Sequence, residues 1–109
     1  MYFLARQHPG ETTGSFCIEG IVDFLCGESE ESKMLREKFV FKIFPMVNVD
    51  GVVHGNNRGS VLGVDLNRSW KDCEKERTPE IFCIKNLILK NLKERETRLL
   101  VDFHSHSKK

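Results

Sequence analysis

The sequence predicts an α/β fold with helices packed on a mixed, largely parallel sheet, and three observations carry that prediction. Three short runs, Tyr2 to Gln7, Phe39 to Phe44 and Leu99 to Phe103, are rich in the apolar, aromatic and β-branched residues of strands. The segments between them hold helical patterns. Strand, helix, strand in that order favours a right-handed parallel crossover, and parallel strands bring the residues at their C-terminal ends to one edge of the sheet.

Each element has its own signal. Pro9-Gly10 stops the first strand. From Glu11 a helix is expected, with Cys17, Ile21, Phe24 and Leu25 at helical spacing and Gly27 as its stop; Gly14 and Gly20 weaken it or allow close packing on the sheet. Glu28 to Lys38 reads as a short surface helix anchored by Met34 and Leu35. The strand Phe39 to Phe44 ends at Pro45 and is expected beside the first. Between Pro45 and Thr78 periodicity disappears, far beyond the median connection of about five residues. That stretch is not low-complexity, and Trp70, Arg58 and Arg68 mark it as functional rather than disordered.

Thr78-Pro79-Glu80 starts the next helix, with Thr78 as N-cap and Glu80 favourable to the dipole. Ile81, Ile84, Ile88 and Leu92 form its apolar stripe. Leu99 to Phe103 is the last strand and delivers His104. No internal repeat and no linker divides the chain, and 109 residues fit one domain.

Composition sets the class. An apolar fraction of 39% and a charged fraction of 30% are those of an ordinary globular protein. A formal net charge of +1 gives no electrostatic reason for nucleic acid or an anionic membrane as partner. Cys17, Cys26, Cys73 and Cys83 form no close pair and read as buried or incidental thiols of a reducing compartment. Arg6 interrupts the opening apolar run, which is too short for a signal peptide, and no stretch approaches a membrane span. A cytoplasmic protein is expected.

The chemistry centres on His8-Pro9-Gly10-Glu11 and His104. A histidine and a carboxylate three residues apart at a strand mouth, with a second histidine from the end of a parallel strand, can converge on one ion. Two His and one Glu, with a position left for water, is a catalytic zinc arrangement rather than a closed structural one.

Further motifs accompany it: Asn48-Val49-Asp50-Gly51, Asn56-Asn57-Arg58-Gly59, Asp65-Leu66-Asn67-Arg68 and Asp102-Phe103-His104-Ser105-His106-Ser107. In this order, over Arg6 to Lys109, the chain resembles the zinc metallocarboxypeptidases, most closely the cytosolic carboxypeptidase branch, whose members remove glutamates from protein tails. The resemblance implies Zn2+ held by His8, Glu11 and His104, lowering the pKa of a bound water towards about 7 and polarising a carbonyl. It implies that Asp65 orients the first zinc histidine, and that Asn67 and Arg68 grip the terminal carboxylate of the substrate through an amide and a planar guanidinium fork. Arg58 matches the family's second arginine, which stabilises the oxyanion. His106 is expected near the substrate rather than on the metal, and His54 is a loop histidine. Lys108 and Lys109 read either as solvated charges or as an attraction for acidic substrates.

Three departures stand out. Val49 replaces a usual proline, and Ser105 a common glycine. The third is larger: the family's general base is a glutamate on a strand far beyond the last zinc histidine, whereas these residues stop at Lys109. The 109 residues are therefore expected to be the amino-terminal part of a catalytic domain, with an exposed sheet edge. They should show little or no peptidase activity alone, since a general base is worth about a hundred-fold to ten-thousand-fold. The expected partners are peptide or protein C-terminal tails, glutamate-rich ones such as tubulin's included. Two alternatives remain. Aspartoacylase-type hydrolases share the two-His, one-Glu plan, although His8-Pro9-Gly10-Glu11 favours the carboxypeptidases; a non-catalytic zinc-binding or partner-binding remnant is the other.

Overall fold

A computed structural model of the chain describes residues 1–106, so Lys108 and Lys109 lie outside the described residues. The order is β1 (Tyr2–Ala5), α1 (Thr13–Cys26), α2 (Glu30–Lys38), β2 (Lys42–Phe44), α3 (Val49–Val53), a 3-10 turn (Leu66–Arg68), α4 (Pro79–Leu92) and β3 (Leu100–Phe103). The three strands make one sheet in the order β2-β1-β3, and both pairings are parallel. Phe3 lies opposite Ile43 on one side and Val101 on the other.

β1 is the central strand because its side chains bury on both faces. Tyr2 and Leu4 join Val47, Leu66, Ile81 and Ile84 in the core under α4. Ala5 points to the opposite face, where α1 comes so close that a methyl group on Gly14 would lie 3.2 Å from the Ala5 Cβ and 3.2 Å from the Phe103 carbonyl oxygen. Of the two roles open to Gly14 in the sequence, close packing is the one realised.

Several boundaries differ from the sequence expectation, each for a local reason. β1 ends at Ala5 rather than Gln7 because Arg6 turns into the left-handed region, with φ +58°. β2 starts at Lys42: Phe39 closes α2 by donating its N–H to the Leu35 carbonyl, and Phe41 stacks on Phe3 with ring centres 6.2 Å apart. In α1 Cys17 and Phe24 are exposed, and the buried face runs through Gly14, Ile18 and Leu25. In α2 Met34 is exposed and Leu35 half-buried. The buried residue there is Ser32, whose hydroxyl donates to the Gly27 carbonyl at 2.7 Å.

Thr78 stands at the N-cap position of α4 but does not cap it. Its hydroxyl turns back, accepting from the Glu74 N–H at 3.0 Å and lying 3.2 Å from the Glu74 carbonyl. Leu92 is half exposed, so the stripe ends at Ile88. The aperiodic stretch after Pro45 is ordered by α3 and the 3-10 turn. The cysteines are free and not buried: three are exposed and Cys73 is half-buried. No helix among the described residues is long and apolar enough to cross a membrane.

Candidate metal centre and substrate cleft

The C-terminal ends of β1 and β3 lie side by side, and the site is built where they end. After Ala5, the strained turn at Arg6 is held by its own guanidinium, which donates to the Pro9 carbonyl and to the Ser15 hydroxyl, each at 2.9 Å. Asn48, fully buried, ties the same turn to the next crossover. Its amide donates to the Gln7 carbonyl at 3.1 Å, while its oxygen accepts the Gly51 N–H at 3.0 Å and caps α3. Gly51 has no room for a side chain, since a Cβ there would sit 2.7 Å from the Pro9 ring. These contacts fix His8, which is 4% exposed, at the mouth of the strand.

His8, Glu11 and His104 converge, with one ligand atom from each lying within 4.8 Å of the others. Glu11 stands between the rings: Oε1 is 2.8 Å from His8 Nδ1, and Oε2 is 2.8 Å from His104 Nδ1. The outward nitrogens are also engaged. His8 Nε2 lies 3.0 Å from Asp65 Oδ1, and His104 Nε2 lies 2.5 Å from Asp102 Oδ2. An ionised carboxylate only accepts, and each ring has one at both nitrogens; in the tautomer with hydrogen on Nε2, donated to Asp65 or Asp102, each Nδ1 turns a lone pair inward. In that tautomer three electron-rich groups face one another at contact distance, an arrangement a cation relieves. Two imidazoles and a carboxylate with an open side are the donor set of catalytic zinc, so these residues fit the ion that the sequence implied.

The ionisable groups of the centre perturb one another. Burial pushes the Glu11 carboxyl up, but the Ser105 amide, donating at 3.0 Å, and then His104 and His8 outweigh it and hold it below its ordinary value. Burial likewise raises Asp65, and His8 and then Arg58 bring it down. His104 is pushed down by burial but held above its ordinary value by Asp102 and Glu11.

A cleft of about 500 Å³ opens over the centre, with Asn57, Arg58, Asn67, Arg68 and His106 in its walls. Asp65 is the local organiser: it accepts the Asn67 N–H at 3.0 Å to start the 3-10 turn, and it pairs with Arg58 Nε at 2.8 Å and Nη2 at 2.7 Å. Asn67 and Arg68 are neighbours on that turn, and the Asn67 amide reaches to 3.3 Å from His104 Nε2. His54 is exposed at the end of α3, away from the cleft.

The sequence reading missed three participants. Asp102 lay inside a quoted motif without a role, and Gln7 and Trp70 had none. The Trp70 indole donates to Gln7 Oε1 at 2.9 Å, and Gln7 Nε2 donates to Asp102 Oδ2 at 2.5 Å. The only signal within the sequence was their position beside His8, Arg68 and His104.

Comparison with known proteins gives the family and the fold of the chain. The sequence profile described as Zinc carboxypeptidase matches residues 1–109. Human cytosolic carboxypeptidase 2 is 49% identical over 105 residues, covering 96% of this chain and 12% of that protein. Among solved structures, a putative carboxypeptidase A from Shewanella denitrificans superposes with a TM-score of 0.86 at 36% identity, over 96% of this chain and 27% of that one. A metallo-carboxypeptidase from Pseudomonas aeruginosa in complex with (2-guanidinoethylmercapto)succinic acid superposes with a TM-score of 0.78 at 30% identity, over 97% and 28%. The chain thus spans about an eighth of the curated relative it matches.

Proposed function

This chain belongs to the zinc carboxypeptidase family, and on that premise we propose that its cleft holds zinc and seizes the C-terminal carboxylate of a peptide or protein tail, so that the whole protein releases C-terminal amino acids by hydrolysis. The observation that supports this best is the meeting, at one strand edge, of a three-ligand cluster with a wall of amide and guanidinium donors.

In this reading His8 and His104 offer Nδ1, and Glu11 its carboxylate, to the metal. Zinc, when bound, supplies Lewis acidity toward a carbonyl oxygen and acidifies water. Asp65 and Asp102 hold the two rings in the tautomer that ligation needs. Asn67 and Arg68 take the terminal carboxylate; the Arg68 guanidinium is exposed to the cleft and bonds only the Asn67 carbonyl, at 3.3 Å, among the described residues. Arg58 uses Nε and Nη2 on Asp65 and keeps Nη1 for the oxygen of the scissile carbonyl. Among the described residues Glu11, Asp65 and Asp102 are all engaged with histidine nitrogens, so we assign the general base to none of these three. The 109 residues alone would then bind metal and hydrolyse little.

Glutamate is the proposed amino acid, and glutamate-rich tails such as tubulin's are the proposed substrates, met in the cytoplasm. The names of the cytosolic relatives support the compartment, and the motif resemblance to that branch supports glutamate. The full-length protein should release glutamate from a peptide ending in glutamate and spare the same peptide with an amidated C-terminus. Arg68→Ala should raise KM about ten- to a hundred-fold, because a hydrogen bond to a charged group contributes about 1.5–3 kcal/mol. Equal turnover of the acid and amide peptides would overturn the assignment.

A further inference from the structure

The surroundings of Gln7 carry an inference that deepens the reading above and rests on its zinc ligands. Gln7 is 1% exposed. By shape alone a buried glutamine has two orientations, related by exchange of its oxygen and nitrogen ends. Trp70 removes that choice, since an indole N–H donates and cannot accept. The Gln7 oxygen must therefore face Trp70, at 2.9 Å, and its NH2 must face Asp102 Oδ2, at 2.5 Å. That same Oδ2 lies 2.5 Å from His104 Nε2. An oxygen accepting from an amide N–H is free to accept from the imidazole N–H as well. The other oxygen, Oδ1, is buried with no protein partner among the described residues, so Oδ2 takes both bonds.

We propose that Trp70 and Gln7 form a donor relay that fixes, through Asp102, the tautomer and ring plane of His104 as a metal ligand. They are positioning residues, since neither touches the metal cluster. The relay is anchored from α4, where Lys85 donates to the Trp70 carbonyl at 2.7 Å. The partner histidine is held differently: His8 leans on Asp65, which is shared with the half-exposed Arg58, whereas Asp102 is shared with the buried Gln7.

The test uses the full-length protein, with zinc affinity measured by chelator competition and the visible spectrum of the cobalt-substituted protein as a second readout. Gln7→Met keeps the volume and removes both bonds; it should weaken zinc binding about ten- to a hundred-fold, the usual effect of losing an outer-shell partner, and shift the cobalt bands. Gln7→Glu keeps the bond from Trp70 but sets a carboxylate against Asp102, and should bind at least as weakly. Trp70→Phe should cost several-fold alone and nothing further in the Gln7→Met background. Ile84→Val, a core change away from the cluster, should lower Tm without altering affinity. Variants within two-fold of wild type and an unshifted cobalt spectrum would overturn the relay while leaving the zinc reading intact. A wild-type protein that binds no zinc would sink both.

Discussion

At the scale of single residues, the proposed zinc would compete with a proton for one place between His8, Glu11 and His104, and pH would expose the competition. Without metal, Glu11 is held below its ordinary value of 4.5 and His104 above its ordinary 6.5. The Glu11 contribution to stability is complete above the unfolded carboxyl value and is lost as pH falls through the lowered folded value. The His104 contribution is complete below 6.5 and is lost as pH rises through the raised folded value. The metal-free protein should therefore draw most stability from this pair between about pH 4.5 and 6.5. Zinc requires neutral imidazoles, so its affinity should climb as pH rises through the raised His104 value and level off above it. Tm against pH, with and without zinc, reads both limbs; a metal-free Tm that keeps rising above pH 8 would contradict the His104 assignment. The convergence of His8, Glu11 and His104 was legible from their spacing and strand-end positions together with the accompanying motifs. The Gln7–Asp102 and Trp70–Gln7 bonds join residues 95 and 63 positions apart, and nothing local in a sequence marks such pairs.

At the scale of elements, α1 governs how closely the first crossover packs, and its two inner glycines should respond in opposite directions. Gly14→Ala places a methyl 3.2 Å from both Ala5 and the Phe103 carbonyl, pushing the helix off the strand ends that carry the site. Overpacking of this kind costs about 1–3 kcal/mol. Gly20 is exposed with nothing within 4 Å of an added Cβ, so Gly20→Ala should stabilise by about 0.5–1 kcal/mol. Thermal melts of the two variants decide it; equal shifts would show that α1 does not pack as described. The helix and strand order was readable from apolar runs and breakers. The contact face of α1 was not, because a hydrophobic count passes over Gly14 and rewards Cys17 and Phe24, which face solvent. The end of β1 was misplaced for a related reason: Arg6 carries no sequence mark of its left-handed turn, which its own hydrogen bonds to Pro9 and Ser15 sustain.

At the scale of the molecule, two parallel crossovers bring residues from both ends of the chain to one edge of a three-stranded sheet, and the site exists only when that topology forms. The stretch 45–78, aperiodic in sequence, closes over this edge and supplies Asp65, Arg58, Asn67 and Arg68, which is why it needs order without long elements. The central claim is that His8, Glu11 and His104 hold one zinc ion through inward-turned Nδ1 atoms. The most direct measurement is a crystal structure of the full-length, zinc-loaded protein with anomalous data collected on both sides of the zinc absorption edge. The account predicts a single strong peak at about 2.0–2.2 Å from both Nδ1 atoms and a Glu11 oxygen. A peak on the Nε2 side of either ring, or none between these three residues in a protein that retains zinc, would contradict it.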